Sequence, residues 1–281
     1  MATFNINIET DNYKGSILLE LDDGRANEKT IVDNLKAGMF YEPDVSNVLL
    51  RVLRQGDTVI DVGANVGFFT LLSASLVGDG GRVISFEPDE NNRHRLNASL
   101  ALNPIDNVSL IERPASDRVE QVDFFINSDD SGGSALWNPG QFPGNPKSRA
   151  NPQALRMTTT TLDHELKQTG AGIPKLIKVD TEGAEQRVLE GARRVLQGAA
   201  VPFVVAELHE FGLEKMGCSQ QTLRGFMEGL GYSTFALFFN GVLPKLIPPK
   251  THLHSQYFIN LLFSTPDMVS EYWPDEAIVP G

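Results

Sequence analysis

The chain has 281 residues, 41% hydrophobic and 21% charged, and its 24 basic against 36 acidic side chains give a formal net charge of −12. That composition supports a packed globular core, excludes disordered, collagen-like and coiled-coil classes, and argues against a nucleic-acid partner. The single cysteine, Cys218, excludes an intrachain disulfide and a Cys-rich zinc site.

From the N-terminus, Phe4, Ile6 and Ile8, then Ile17, Leu19 and Leu21, alternate with polar neighbours across residues 11–15, which predicts a hairpin. Glu9, Asp11 and Glu20 in this stretch fit no signal peptide, so a cytoplasmic chain is expected. Helical spacing follows over 28–36 and 44–53, with Pro43 at a first-turn position. Residues 1–55 are therefore expected to form an extension that covers cofactor and substrate, ahead of a main domain over 56–281. The most apolar stretch, 59–78, is about membrane-spanning in length but contains Asp61, Asn65 and internal glycines. A strand, a glycine turn and a helix fit it better than a lipid-buried span.

Beyond Asp57, short apolar runs alternate with helical stretches, the pattern of βαβ units around a parallel sheet. Strands are predicted at 58–62, 82–87, 108–113, 175–180 and 203–207, and helices at 67–76, 90–103, 184–196 and 219–230. Two late strands, 235–239 and 256–263, have no long helix between them and are predicted to pair as a hairpin. An antiparallel strand at the end of a parallel sheet separates a methyltransferase-like sheet from a purely parallel dinucleotide-binding one. Residues 127–158, rich in Gly, Pro, Ser and Asn, form an insertion whose Leu136, Trp137 and Phe142 suit a lid, the alternative being a surface excursion.

The chemistry concentrates at strand ends. The run 57–67 passes from a strand into the turn Gly63-Ala64-Asn65-Val66-Gly67, whose glycines let a ligand approach the backbone. Counted from Gly63, the third and sixth positions are Asn65 and Phe68, which weakens a nicotinamide-dinucleotide reading. A nucleoside carrying a sulfonium amino acid is the alternative, with Asp61 able to receive its ammonium group. Glu87, followed by Pro88, is placed to accept both ribose hydroxyls or, structurally, to cap the next helix. The third strand leads to Ala115 and Ser116, where an adenine edge fits.

These elements occur in one order: Asp61 to Gly67, Phe86-Glu87-Pro88, Thr160-Thr161-Leu162-Asp163, and Ile177-Lys178-Val179-Asp180-Thr181-Glu182-Gly183-Ala184-Glu185. In this the chain resembles the FkbM family of S-adenosylmethionine-dependent methyltransferases over roughly residues 41–235. The resemblance implies an α/β class I methyltransferase fold, Rossmann-like and mostly parallel with an antiparallel late strand. It also implies a cofactor set of Glu42, Asp61, Gly63, Ala64, Asn65, Gly67, Phe68, Glu87, Pro88, Ala115, Ser116 and Asp180.

Methyl transfer to a hydroxyl of a sugar, polyketide or related secondary metabolite is the activity implied. An NAD-type oxidoreductase and a non-catalytic nucleoside-binding module are the alternatives. Lys178 and Asp180 share a strand face, so Lys178 either pairs with an acid or acts as a base. Asp180 and Glu182 lie at the carboxyl edge of the sheet, where this fold gathers ligands. On the next strand Glu207 precedes His209, the candidate proton acceptor, which otherwise orders its loop. Asp180, Glu182, Glu207 and His209 include enough oxygen ligands for a cation, yet the catechol-type metal pattern is absent, and metal-independent transfer is expected. A monomer or homodimer acting on a small-molecule acceptor, away from membranes, completes the expectation.

Overall fold

The computed structural model describes residues 1–254 and 258–274. It opens with the hairpin β1 (Ala2–Thr10) and β2 (Tyr13–Leu21), paired from Ala2 with Leu21 to Thr10 with Tyr13. Its turn is the two-residue Asp11-Asn12, shorter than expected. Every second residue faces inward, so Ile6, Ile8, Ile17, Leu19 and Leu21 are buried. Helices α1 (Ala26–Lys36) and α2 (Pro43–Val52) follow, then β3 (Thr58–Val62), α3 (Phe68–Val77), β4 (Arg82–Phe86), α4 (Glu90–Ala101) and β5 (Val108–Ile111).

Strand β6 (Gln121–Ile126) leads into the insertion and β7 (Gln153–Thr158) forms its last part; the sequence predicted neither, and they pair antiparallel away from the main sheet. The sheet resumes with β8 (Leu176–Val179) and β9 (Phe203–Leu208), then β10 (Ser233–Ala236), β11 (Lys245–Ile247) and β12 (Ile259–Ser264). The expected late strand 256–263 falls partly outside the described residues, and its described part is β12. It pairs antiparallel with both β9 and β10, as a methyltransferase-like sheet requires.

The strand order is β5-β4-β3-β8-β9-β12-β10-β11. Strands β3, β4, β5, β8 and β9 are mutually parallel. The order runs outward in one direction from β3 and in the other from β8, so the crevice for a ligand lies at the carboxyl ends of this adjacent pair. Alternate residues feed two cores: Val59, Val83, Leu176 and Val205 pack on one face, and Ile60, Ile84, Ile177 and Val204 on the other.

The helix predicted over 184–196 is broken into Glu185–Glu190 and Arg193–Leu196. Gly191 marks the break, where a Cβ would stand 2.1 Å from the Ser116 carbonyl oxygen. The hairpin lies over α3 and α4 and shares their core. Asn103 exchanges bonds of 2.8 and 2.7 Å with the Leu18 backbone, and Ser99 accepts the Glu20 amide at 3.0 Å. A buried ion pair joins Glu28 of α1 to Arg95 of α4. No helix among the described residues is long and apolar enough to cross a membrane.

Candidate active site

The turn after β3 is built on left-handed backbone, with φ of +81° at Gly63, +51° at Asn65 and +95° at Gly67. A Cβ on Gly63 would stand 1.8 Å from the Asp180 carbonyl oxygen, so only glycine lets β3 and β8 end this close together. The amides of Gly63 and Ala64 both donate to the Phe86 carbonyl at 3.0 Å, which pins the turn to β4. Gly67 faces away from the cavity, toward Leu96 of α4.

Glu87 is 4% exposed. Its Oε2 accepts the Asn65 amide at 2.7 Å and its Oε1 the Asp89 amide at 2.8 Å. Burial pushes this carboxyl up to about 7. A carboxylate offers about four acceptor sites, so two remain for hydroxyls in the cavity. The helix-capping role belongs to Asp89 instead, which accepts the Asn91 amide at 2.9 Å.

Glu87 belongs to the wall of a cavity of about 260 Å³, with Gly63, Ala64, Asn65, Phe68, Pro88 and Ala115. Three expected residues do not reach it: Gly67, turned toward α4, and Asp61 and Ser116. Asp61 is 1% exposed, turned toward α3, where its Oδ2 accepts the Thr70 hydroxyl at 2.6 Å. Ser116 is fully buried, donating through Oγ to Asp117 at 3.1 Å and through its amide to Thr160 at 2.8 Å. Phe124 of β6 supplies wall that sequence reasoning missed. The Thr160 to Asp163 motif is architectural, with Asp163 accepting the amides of Arg194 and Val195 at 2.9 and 3.0 Å.

At the other end, Lys178 Nζ lies 3.1 Å from Asp180 Oδ2 and 3.8 Å from Asp61 Oδ1. Burial alone would lower its pKa, but the charges of Asp180, Asp61 and Glu42 outweigh that and hold the ammonium above its usual range. Of the two readings, pairing therefore describes Lys178, because a group held protonated accepts no proton. Glu42, in left-handed backbone at the start of α2, also lines the cavity, and burial raises its carboxyl with Asp180 adding to the effect.

Glu182 and Glu207 line the same end. Burial raises both, and Asp180, Glu182, Glu185 and Glu42 add their charges at Glu207, pushing it well above the usual carboxylate range. Glu185 faces its own turn, where Oε1 accepts the amides of Thr181 and Gly183, each at 2.9 Å. His209 is 4% exposed and stands behind the wall, so it does not meet an acceptor directly as expected. Its Nδ1 is 2.8 Å from Glu182 Oε2, an ion-pair distance without the alignment of a hydrogen bond.

The roof combines the N-terminal extension with the mid-chain insertion. Asn27, Thr30, Ile31 and Tyr41 come from the N-terminal extension, and Asp130 to Gly132 with Ser134 to Leu136 from the insertion. Trp137 and Phe142 pack edge-on against Phe211, at 5.4 and 5.3 Å between ring centroids. Among the described residues of the wall, six are acidic and one, Lys178, is basic. Asn27, Asn65, Asn92 and Ser131 each present a buried polar oxygen without a hydrogen-bond partner, as a wall awaiting a polar ligand would.

A Methyltransferase FkbM domain model matches residues 61–234, more than half of the chain. The hexuronic acid methyltransferase AglP of Haloferax volcanii is 27% identical over 169 residues, which are 60% of this chain and 62% of that protein. The chain thus spans less than two thirds of that relative's length. Among solved structures, a putative rRNA-methylase from Clostridium thermocellum overlays with TM-score 0.43 at 15% identity, covering 82% of this chain and 96% of that one. A precorrin-6y C5,15-methyltransferase from Geobacter metallireducens gives 0.44 at 13%, covering 87% and 95%. Strand order and the family match, rather than these overlays, identify the class I fold. The chain belongs to the FkbM methyltransferase family, whose cofactor is S-adenosylmethionine.

Proposed function

We propose that this chain methylates a hydroxyl of a sugar or sugar-bearing small molecule at the expense of S-adenosylmethionine. The observation that carries the reading is the acidic lining of the cavity, six acids against one base beside a glycine turn and a buried carboxyl at the ribose position. A cationic sulfonium ligand suits such a wall, whereas a dinucleotide would bring two phosphate charges into it. This disfavours the oxidoreductase alternative, and a non-catalytic module leaves the acidic end unexplained. The similarity to a hexuronic acid methyltransferase favours a sugar acceptor.

In this reading Glu87 holds the ribose hydroxyls, Pro88, Ala115 and Phe124 flank the base, and Glu42 and Asp180 receive the amino-acid end. When bound, S-adenosylmethionine supplies an electrophilic methyl group for in-line displacement by an acceptor oxygen. Positioning provides most of the rate, which is the part given to the roof and to Glu182 and Glu207. Burial and the charges crowded around it raise the Glu207 carboxyl, and Glu207 keeps the positioning role. Asp180, paired with Lys178 on one oxygen, takes the proton of the hydroxyl. Incubation with methyl-labelled S-adenosylmethionine and a panel of glycosides, uronic acids included, tests the reading by mass spectrometry. A labelled ether on a sugar oxygen supports it, and label found only on nitrogen or carbon overturns it.

A further inference from the structure

The acidic end of the cavity carries a constellation to which the transfer chemistry above gives no more than positioning. One ligand atom each from Glu182, Glu207 and His209 lie within 4.8 Å of one another. Carboxylates gathered at a sheet edge are no site in themselves. Here, however, the third member is a histidine, 4% exposed, whose Nδ1 faces Glu182 Oε2 at 2.8 Å without hydrogen-bond alignment and whose Nε2 has no partner. Oε2 of Glu207 is likewise buried and unpartnered. Leaving such groups unsatisfied is costly, and buried polar groups without partners are uncommon in folded proteins. Lys178, the one cation of the wall among the described residues, is already committed to Asp61 and Asp180.

We infer that Glu182, Glu207 and His209 form a binding site for one divalent cation at the acceptor end of the cavity. Two carboxylate oxygens and one imidazole nitrogen make a mixed set that suits manganese or zinc better than magnesium, which favours oxygen alone. Three protein ligands leave coordination positions open. Glu182 and Glu207 line the cavity, so those positions face a bound acceptor. Two neighbouring oxygens of a sugar, vicinal hydroxyls or a hydroxyl beside a carboxylate, have the spacing to fill them together. The cation then selects oxygen-rich acceptors able to chelate and lowers the pKa of the hydroxyl it holds. His209 becomes a ligand rather than the proton acceptor, and the expected metal independence is reversed. The acceptor-selecting role rests on the proposed methyl transfer, but the site itself does not.

The test is calorimetric titration of chelator-stripped full-length protein with manganese chloride and, separately, zinc chloride. One ion per chain is expected. Glu207→Gln, which keeps size and shape, and His209→Gln should each weaken manganese binding at least about tenfold. Both should bind S-adenosylhomocysteine as the parent does, which shows that they are folded. If His209→Gln fails to fold, Glu207→Gln decides alone. Absence of saturable binding of either ion, or equal affinity in parent and Glu207→Gln, overturns the inference. Cofactor binding without metal uptake removes the site alone. Metal uptake without cofactor binding removes the methyltransferase reading and leaves the site standing.

Discussion

Trp137 Nε1 donates to the main-chain carbonyl of Glu182 at 2.6 Å, so the insertion is tied to the acidic end of the cavity through backbone. Glu182 itself sits at φ +56°, a conformation that a non-glycine residue holds only when its surroundings enforce it. Trp137, 7% exposed, is part of that enforcement. Trp137→Phe keeps a ring against Phe211 but removes the donor. Single-turnover methylation should slow about tenfold, while thermal stability falls only by about 1 kcal/mol, the worth of one hydrogen bond. An unchanged rate would make the insertion a surface excursion.

Glu87→Ala should weaken S-adenosylhomocysteine binding by about 1–3 kcal/mol, because the ribose loses its acceptor. The same substitution frees the amides of Asn65 and Asp89. A lower melting temperature should therefore accompany the weaker binding, which a residue serving the ligand alone would not produce. Calorimetry and thermal melting on one preparation check both effects, and unchanged affinity would remove Glu87 from the site.

The buried carboxyl of Glu87 also sets a pH dependence. Its value is about 7 in the folded chain against an ordinary 4.5, so the folded state holds this proton more tightly than the unfolded state. Its contribution is fully present below the lower value and is lost as pH rises through the upper one. The melting temperature of ligand-free protein should thus fall as pH rises from about 5 to 8, and less steeply in Glu87→Gln. Identical slopes in the two proteins would contradict this.

Lys178→Met tests the pairing assigned to the lysine. Asp61, 1% exposed, would keep Thr70 but lose its counter-charge. Removing one partner of a buried ion pair costs about 3–5 kcal/mol, so poor solubility or a much lower melting temperature is expected. A stable variant that binds cofactor but has lost turnover would return Lys178 to the chemistry.

The central strands were legible because they are buried on both faces and read as short continuous apolar runs. Strands β6, β7 and β11 were not. β7, Gln153–Thr158, is mostly exposed and lacks that signature, β11 has only three residues, and the pairing of β6 with β7 spans the insertion. Strand-end positions located Glu87, Glu182 and Glu207, because the sheet edge gathers them. The same rule misplaced Asp61 and Ser116, whose side chains turn into the layers beside the sheet. Tyr41, Phe124 and Phe258 reach the cavity from elements outside the motifs, and no local signal marks them. His209 was found by type, but only tertiary packing shows that Glu182 and Phe258 stand before it, Phe258 at 4.4 Å between ring centroids.

The central claim is that this acidic cavity binds a sulfonium nucleoside. Calorimetric titration of the purified chain with S-adenosylmethionine and with NAD, in the same buffer, tests it most directly. Saturable one-to-one binding of S-adenosylmethionine, lost or weakened in Glu87→Ala, with no heat from NAD, is the result predicted. Saturable NAD binding with none for S-adenosylmethionine would contradict it.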